Sequence, residues 1–435
     1  MAHAGGLGSR ATGSAPFWFV LMVGGAIIAA TFLFTSLLTD HEAIRTVNGW
    51  SVSLPVPGQV SAVVAGLGGG LSLLVFGLIV VTGLFGPAEP TRSFAIVVVW
   101  GLWWAGYVMS VYLLGNSWPV VNPWRRLAAW LPDVGESSYP ARLGSWPATV
   151  GLLGLVWLEV ISPVADHPRL LSGLVVVYTV VTLGGAAVFG VETWFSNADP
   201  IAGVFHWYGR IAPVQRTTDG LTLRLPVTAA AEDGFRGEFD DVAFVVALLW
   251  ATTYDGLVTT PPWATAVRWV AGLGVPPLAV YLVTIAVGYG IFIVAYRVAS
   301  GKARDVAGTA VTGDYIGRWL VPSLLPIAAG YHLAHFLGYF ISLLPAVLAV
   351  IASPLSPPVD VHVFVLPGWY RRVQLLFVLL GHVVAIWVAH SLSFELFPGS
   401  IQPIRSQYSY VVVMIFYTMV SMWIIAQPFT PPPYL

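Results

Sequence analysis

Apolar residues in this chain fall in runs of about twenty, divided by short polar or proline-rich breaks, with little alternation or helical striping inside each run. At 1.5 Å per residue, about twenty residues of helix cross the roughly 30 Å hydrocarbon core of a bilayer. Ten runs qualify, at about 16–38, 60–85, 93–115, 146–164, 169–190, 240–258, 275–298, 317–350, 369–393 and 407–427. The fourth and sixth are short. The eighth is long, and Pro322, Pro326 and Pro345 are placed to kink it. The pattern predicts an all-α polytopic bundle of about ten transmembrane helices, forming a single transmembrane domain over residues 1–435.

Charge then sets an orientation. With both the N-terminus and C-terminus outside, the cytoplasmic loops hold 13 of the 19 Lys and Arg residues, as the positive-inside rule favours. Residues 191–240 form the one long cytoplasmic loop. Its Ile201–Ile211 run reads as an amphipathic helix lying in the interface. Leu221–Pro226 reads as a short strand, and Glu238, Asp240 and Asp241 make the loop's end acidic. The first run lacks the basic start and short core of a cleaved signal, so it is expected to be a retained helix.

Composition agrees: 57% of residues are hydrophobic and only 9% charged, where soluble domains carry roughly 25%. The expected location is the cell membrane, as a multi-pass protein whose first partner is the lipid bilayer. A net charge of -1 offers no basic surface for nucleic acid. The absence of cysteine excludes disulfides, thiolate nucleophiles and iron–sulfur ligation by cysteine.

Ionisable side chains inside apolar runs are costly and tend to mark function. His332 and His335 lie three residues apart, so they share a helix face. His382 lies 13 residues after Trp369, as His332 does after Trp319. On antiparallel neighbouring helices all three reach mid-membrane, about 20 Å along. Three imidazoles at one depth suit a divalent metal (Zn, Cu or Fe, identity unknown) or proton transfer. The alternative is that each bonds a backbone carbonyl or other polar group within the bundle.

Asp255, in Thr252-Thr-Tyr-Asp-Gly256, is a candidate metal ligand, general base or orienting carboxylate, with Gly256 free to break the helix after it. Tyr254 beside it is a proton donor or an interface anchor. Glu159 is the acid deepest in the fourth run and a candidate proton carrier. His390 lies about 12 Å beyond His382 and reads as a relay or an interfacial histidine. His3 carries little weight as a metal site, because Met1 and Ala2 precede it. Gly115–Arg126, with two X-Pro steps, two tryptophans and paired arginines, reads as an ordered interfacial turn. Gly66-Leu-Gly-Gly-Gly70 reads as a close-packing stripe. No phosphate-binding loop, nucleophile elbow or HExxH motif occurs.

Five stretches together resemble a family of bacterial and archaeal polytopic membrane proteins, the fenitrothion hydrolases. They are Leu114-Gly-Asn-Ser-Trp-Pro-Val-Val-Asn-Pro-Trp-Arg125, Thr252-Thr-Tyr-Asp-Gly256, Pro322–His335, Gly381-His-Val-Val-Ala-Ile-Trp-Val-Ala-His390 and Ser406-Gln-Tyr-Ser-Tyr410. The resemblance covers most of the chain and implies a membrane-bound hydrolase of organophosphorus triesters. The family has an acid after the last histidine, where this chain has Ser391.

The leading expectation is therefore a metal-dependent membrane hydrolase of apolar, organophosphorus-type esters. His332, His335 and His382 would be ligands, with Asp255, Glu159 and Tyr254 as the catalytic set and an apolar small molecule as substrate. The alternatives are a transporter or a metal- or proton-handling component using the same cluster, and a structural subunit of a membrane complex with partners of its own.

Overall fold

The computed structural model describes residues 17–131, 137–217, 220–232 and 238–433. Thirteen helices carry the architecture. They are α1 (Phe17–Thr35), α2 (His41–Gly49), α3 (Gly58–Phe85), α4 (Phe94–Leu113), α5 (Trp146–Ile161), α6 (Pro168–Phe189) and α7 (Pro200–Gly209). After them come α8 (Phe239–Leu257), α9 (Pro261–Gly272), α10 (Pro277–Ala307), α11 (Gly313–Ala352), α12 (Tyr370–Leu396) and α13 (Ile401–Ala426). Among the described residues seven of these are long and apolar enough to cross a membrane: α3, α4, α6, α10, α11, α12 and α13. α8 and α9 count as an eighth only if the bent pair is one span; they meet at 84° where Pro261 and Pro262 open α9 behind the Thr260 cap. The remaining apolar runs form α1 and the 16-residue α5. The chain is a multi-pass, all-α membrane protein. His3 lies outside the described residues.

α11 and α8 form the centre. Nearly every residue of α8 from Val242 to Gly256 is buried, and α11 packs on α4, α8 and α12. The acidic stretch before α8 starts that helix. The Glu238 side chain caps it in a reciprocal box with Asp241, at the end where the dipole favours negative charge. Asp241 also accepts from the Ser145 hydroxyl at 2.9 Å, which ties the start of α5 to α8.

Glycine sets the closest helix approaches. A Cβ on Gly381 would lie 2.6 Å from the Pro326 carbonyl, and one on Gly330 would lie 2.7 Å from the Phe377 carbonyl, so α11 and α12 meet backbone to backbone. The Gly66–Gly70 stripe behaves differently. Gly66 and Gly70 face open space, and only Gly68 and Gly69 meet neighbours, Val121 and the Arg126 guanidinium. That guanidinium donates to the Ala65 carbonyl at 2.7 Å.

Two expectations for the 191–240 loop change. The Ile201–Ile211 run folds as α7, but Val204, Phe205, Trp207 and Tyr208 are buried against α4 and α5. Four large apolar side chains on a ten-residue helix are better hidden in the bundle than half-wetted at a headgroup layer. The strand over Gly220–Arg224 exists as β3. It is the centre of a three-stranded antiparallel sheet ordered β1 (Ser51–Pro55), β3, β2 (Val214–Thr217), so it is completed from before α3.

Candidate functional site

A cavity of about 410 Å³ lies along one stripe of α8, Leu248, Ala251, Thr252 and Asp255, at the i, i+3, i+4, i+7 spacing of a helix face. Facing walls come from α3 (Val75, Phe76, Ile79), α6 (Leu171, Leu174, Tyr178), α5 (Leu152, Val156, Glu159) and α4 (Trp100, Trp103, Trp104, Tyr107). α3 packs on α6 while α5 packs on α8, and the chamber occupies the space between these two pairs. Its lining is almost wholly apolar. The ionisable side chains on it are Asp255, Glu159 and His332, with the hydroxyls of Tyr107, Tyr178 and Tyr208.

His332 is 2% exposed. Its Nδ1 lies 3.1 Å from the Tyr112 hydroxyl, and its Nε2 is buried with no hydrogen-bond partner among the described residues. Tyr208 packs beside both, with its ring 5.2 Å from that of Tyr112 and 6.1 Å from that of His332. The Tyr208 hydroxyl is likewise buried without a partner among the described residues. One turn along α11, His335 Nε2 lies 2.9 Å from Asp255 Oδ2. Asp255 thus faces the chamber on one side and holds His335 on the other.

Gly256 has a role its sequence context did not suggest. It stays helical, and a Cβ there would lie 2.4 Å from the Tyr331 hydroxyl. Its bare backbone lets α11 come close enough for His335 to reach Asp255.

His382 takes a different place. Its Nδ1–H donates to the Val378 carbonyl of its own helix at 2.8 Å, and its ring lies 5.6 Å from that of Tyr417, away from the chamber lining. Its Nε2 is buried with no partner among the described residues. Tyr254 also points elsewhere, donating from its hydroxyl to the Tyr281 carbonyl at 3.0 Å inside a second apolar cluster. His390 donates from Nε2 to the Leu38 carbonyl at 2.8 Å and accepts at Nδ1 from Gln407 at 3.3 Å, tying α12 to α13 and to the turn after α1.

Among the described residues no group of three or more His, Asp or Glu side chains is gathered as metal ligands. His332 lines the chamber with Asp255, His335 pairs with Asp255, and His382 lies apart beside Tyr417. A closed divalent site needs three or four converging donors. This arrangement supplies pairs, so no chemical step is routed through a metal.

Several functional neighbours escaped the sequence reading. Trp118 and Trp124, expected at an interface, are buried and close one end of the chamber. Trp124 donates from Nε1 to the Thr179 hydroxyl at 2.9 Å. Tyr112 and Tyr178 sit in apolar runs that resemble any other span, and Tyr208 sits in the stretch read as interfacial. One signal exists only in the backbone. Val97–Tyr107 winds as a π-helix, and such segments recur at functional sites.

Two smaller polar cavities lie toward the two ends of α8. One, of about 40 Å³, is lined by Gly256, Thr259, His335, Arg371, Gln374 and Gln427. The other, of about 180 Å³, includes Asn116, Arg125, Asp199, His206 and Asp241. Asp241 and Gly256 are fifteen residues apart, about 22 Å along the helix. Asp199 lies outside the membrane-crossing helices. It caps α7 by accepting from the Ala202 N–H at 2.7 Å and accepts from the Tyr178 hydroxyl at 2.6 Å. Burial raises its carboxyl pKa above the ordinary carboxylate value, and those two donors oppose the rise.

No protein-family profile, curated protein or solved structure matches the chain, so the geometry carries the functional reading.

Proposed function

We propose that this protein is a membrane hydrolase that takes an apolar ester from the lipid phase into the chamber and cleaves it by acid–base chemistry. The observation that carries the reading is the chamber's composition: an apolar cavity of about 410 Å³ with Asp255, Glu159 and His332 on its wall. Binding sites for small molecules share that character, mostly apolar with a few convergent polar groups. The substrate class agrees with the fenitrothion hydrolase resemblance, and the cell membrane is the proposed location.

The roles follow from the contacts. In the tautomer whose Nδ1–H donates to Tyr112, the His332 Nε2 carries the lone pair, and His332 on the chamber wall then serves as general base. It takes the proton of a water that attacks the carbonyl or phosphoryl centre. The C–O or P–O bond to the leaving group breaks with its electron pair on oxygen, and Glu159 supplies that oxygen's proton, which the His332 imidazolium then restores to Glu159. Asp255, fixed by His335, receives the proton set free when the acid product ionises. The Tyr208 hydroxyl, buried without a partner among the described residues, is the lining's candidate donor toward an oxyanion.

A second reading, movement of a small molecule or proton across the membrane, is favoured by the polar cavities at both ends of α8. Hydrolysis of a lipid-dissolved aryl ester or aryl phosphotriester in proteoliposomes separates the two. Wild type should turn over, His332→Gln should lose about 10²-fold or more, the size of a general-base contribution, and Asp255→Asn should also slow turnover. Equal rates in protein-free vesicles, wild type and both variants would overturn the hydrolase reading.

A further inference from the structure

Asp255 lines the apolar chamber, and His335 lines the small polar cavity beyond it. With Oδ2 and Nε2 2.9 Å apart, the two side chains form the wall between these spaces. The polar cavity sits where three helix ends meet: the C-terminal end of α8, the start of α12 at Arg371 and Gln374, and the exit of α13 at Gln427. Its polar groups are anchored. Arg371 donates to the Gln427 carbonyl at 2.7 Å, and Gln374 donates to the Ala334 carbonyl at 2.8 Å. A volume of about 40 Å³ with that lining holds roughly two or three water molecules.

We propose that Asp255 and His335 form a proton outlet, connecting the chamber to water at the membrane face near the C-terminal end of α8. A proton released in the chamber binds the Asp255 carboxylate. It passes from Oδ2 to His335 Nε2, giving an imidazolium, and the imidazolium gives a proton to water in the polar cavity. One proton crosses the wall, and no electrons are exchanged. The need for an outlet rests on the hydrolytic reading, because ionisation of an acid product leaves a proton in an apolar space. The placement of His332 fits this division of labour: it faces the chamber with Asp255 and does not line the polar cavity.

The test uses no substrate, so its failure and failure of the hydrolase reading are distinguishable. In nanodiscs, the acid-form carbonyl band of Asp255 is assigned in infrared spectra by its loss in Asp255→Asn. Its appearance is then timed after a jump in bulk pH. Wild type should follow the jump promptly, and His335→Phe should slow the response by tenfold or more, with His335→Gln as a second variant if Phe does not fold. Equal rates, or an Asp255 band that never responds to bulk pH, would overturn the outlet.

The natural chain contains no cysteine, which permits an independent check. Gln374→Cys should react with a charged, membrane-impermeant thiol reagent, whereas Leu155→Cys in the chamber should react only with an uncharged, lipid-soluble one. A Gln374→Cys thiol that resists the charged reagent would also overturn the proposal.

Discussion

His335 reaches from α11 to Asp255 on α8 with 2.9 Å between Nε2 and Oδ2, and this contact joins the two helices at the centre of the bundle. Both side chains are almost wholly out of water, at 5% and 10% exposure. Removing one partner leaves the other buried with its main interaction gone. Asp255→Ala or His335→Ala should therefore cost about 3–5 kcal/mol. Asp255→Leu with His335→Phe, which removes both polar groups, should cost clearly less than the two single changes summed. Unfolding in detergent across the double-mutant cycle measures this, and additive costs would deny the pairing.

Helix approach at glycine gives a second expectation. Gly381→Ala places a Cβ 2.6 Å from the Pro326 carbonyl, where backbone must move, and should lower stability by about 1–3 kcal/mol. Gly290→Ala, with nothing within 4 Å, should be neutral or slightly stabilising. Thermal unfolding of the two purified variants checks the contrast. Equal melting temperatures would mean that α11 and α12 are not in backbone contact.

Filling the chamber should block it without unfolding the protein. Val156 is half-buried on its wall, so Val156→Trp extends an indole into the cavity. Affinity for an apolar fluorescent ligand should fall tenfold or more while the melting temperature stays within a few degrees. Unchanged affinity would place the ligand elsewhere.

Asp199 supplies a pH dependence. Because its folded-state pKa is raised, the native state holds its proton at pH values where the unfolded chain has lost it. This group's contribution to stability is full below about pH 4, the unfolded value, and is lost as pH rises through the raised folded value. Asp199→Asn should remove that loss. Wild-type melting temperature should therefore decline relative to the variant as pH rises from about 4 toward neutrality. Parallel curves would contradict the assignment.

The apolar runs were legible because length and hydrophobicity alone select membrane helices; the sequence boundaries fall close to those of α3, α4, α6, α11 and α12, whereas α10 runs on to Ala307 and α13 starts at Ile401, outside the expected runs. Of the eighth run's prolines, Pro322 sits in a 3₁₀ turn at Val321–Leu324, whereas Pro345 lies inside the continuous helix Leu325–Ala352. Within the site, Asp255, His332 and Glu159 were legible because charge inside an apolar run is rare, and they do share one chamber. The meeting of His335 with Asp255, and the separation of His382 from them, depend on helix rotation. Near-uniform hydrophobicity leaves rotation unmarked. Aromatic residues were the largest blind spot. Trp103 occurs in a run where nearly every position is apolar, and Trp118 and Tyr208 lie in stretches whose polar neighbours point to the interface, so nothing in their order marks them as chamber lining.

The most direct measurement is where an apolar molecule binds when offered from the bilayer. A lipid-dissolved diazirine analogue of an aryl ester, photolysed in proteoliposomes and mapped by peptide mass spectrometry, should label the chamber face of α3, α5 and α6. Val75, Val156 and Leu174 are the expected positions, and excess unlabelled ester or Val156→Trp should suppress the labelling. Labelling spread over lipid-facing positions such as Leu67 and Val180, unchanged by either, would contradict the account.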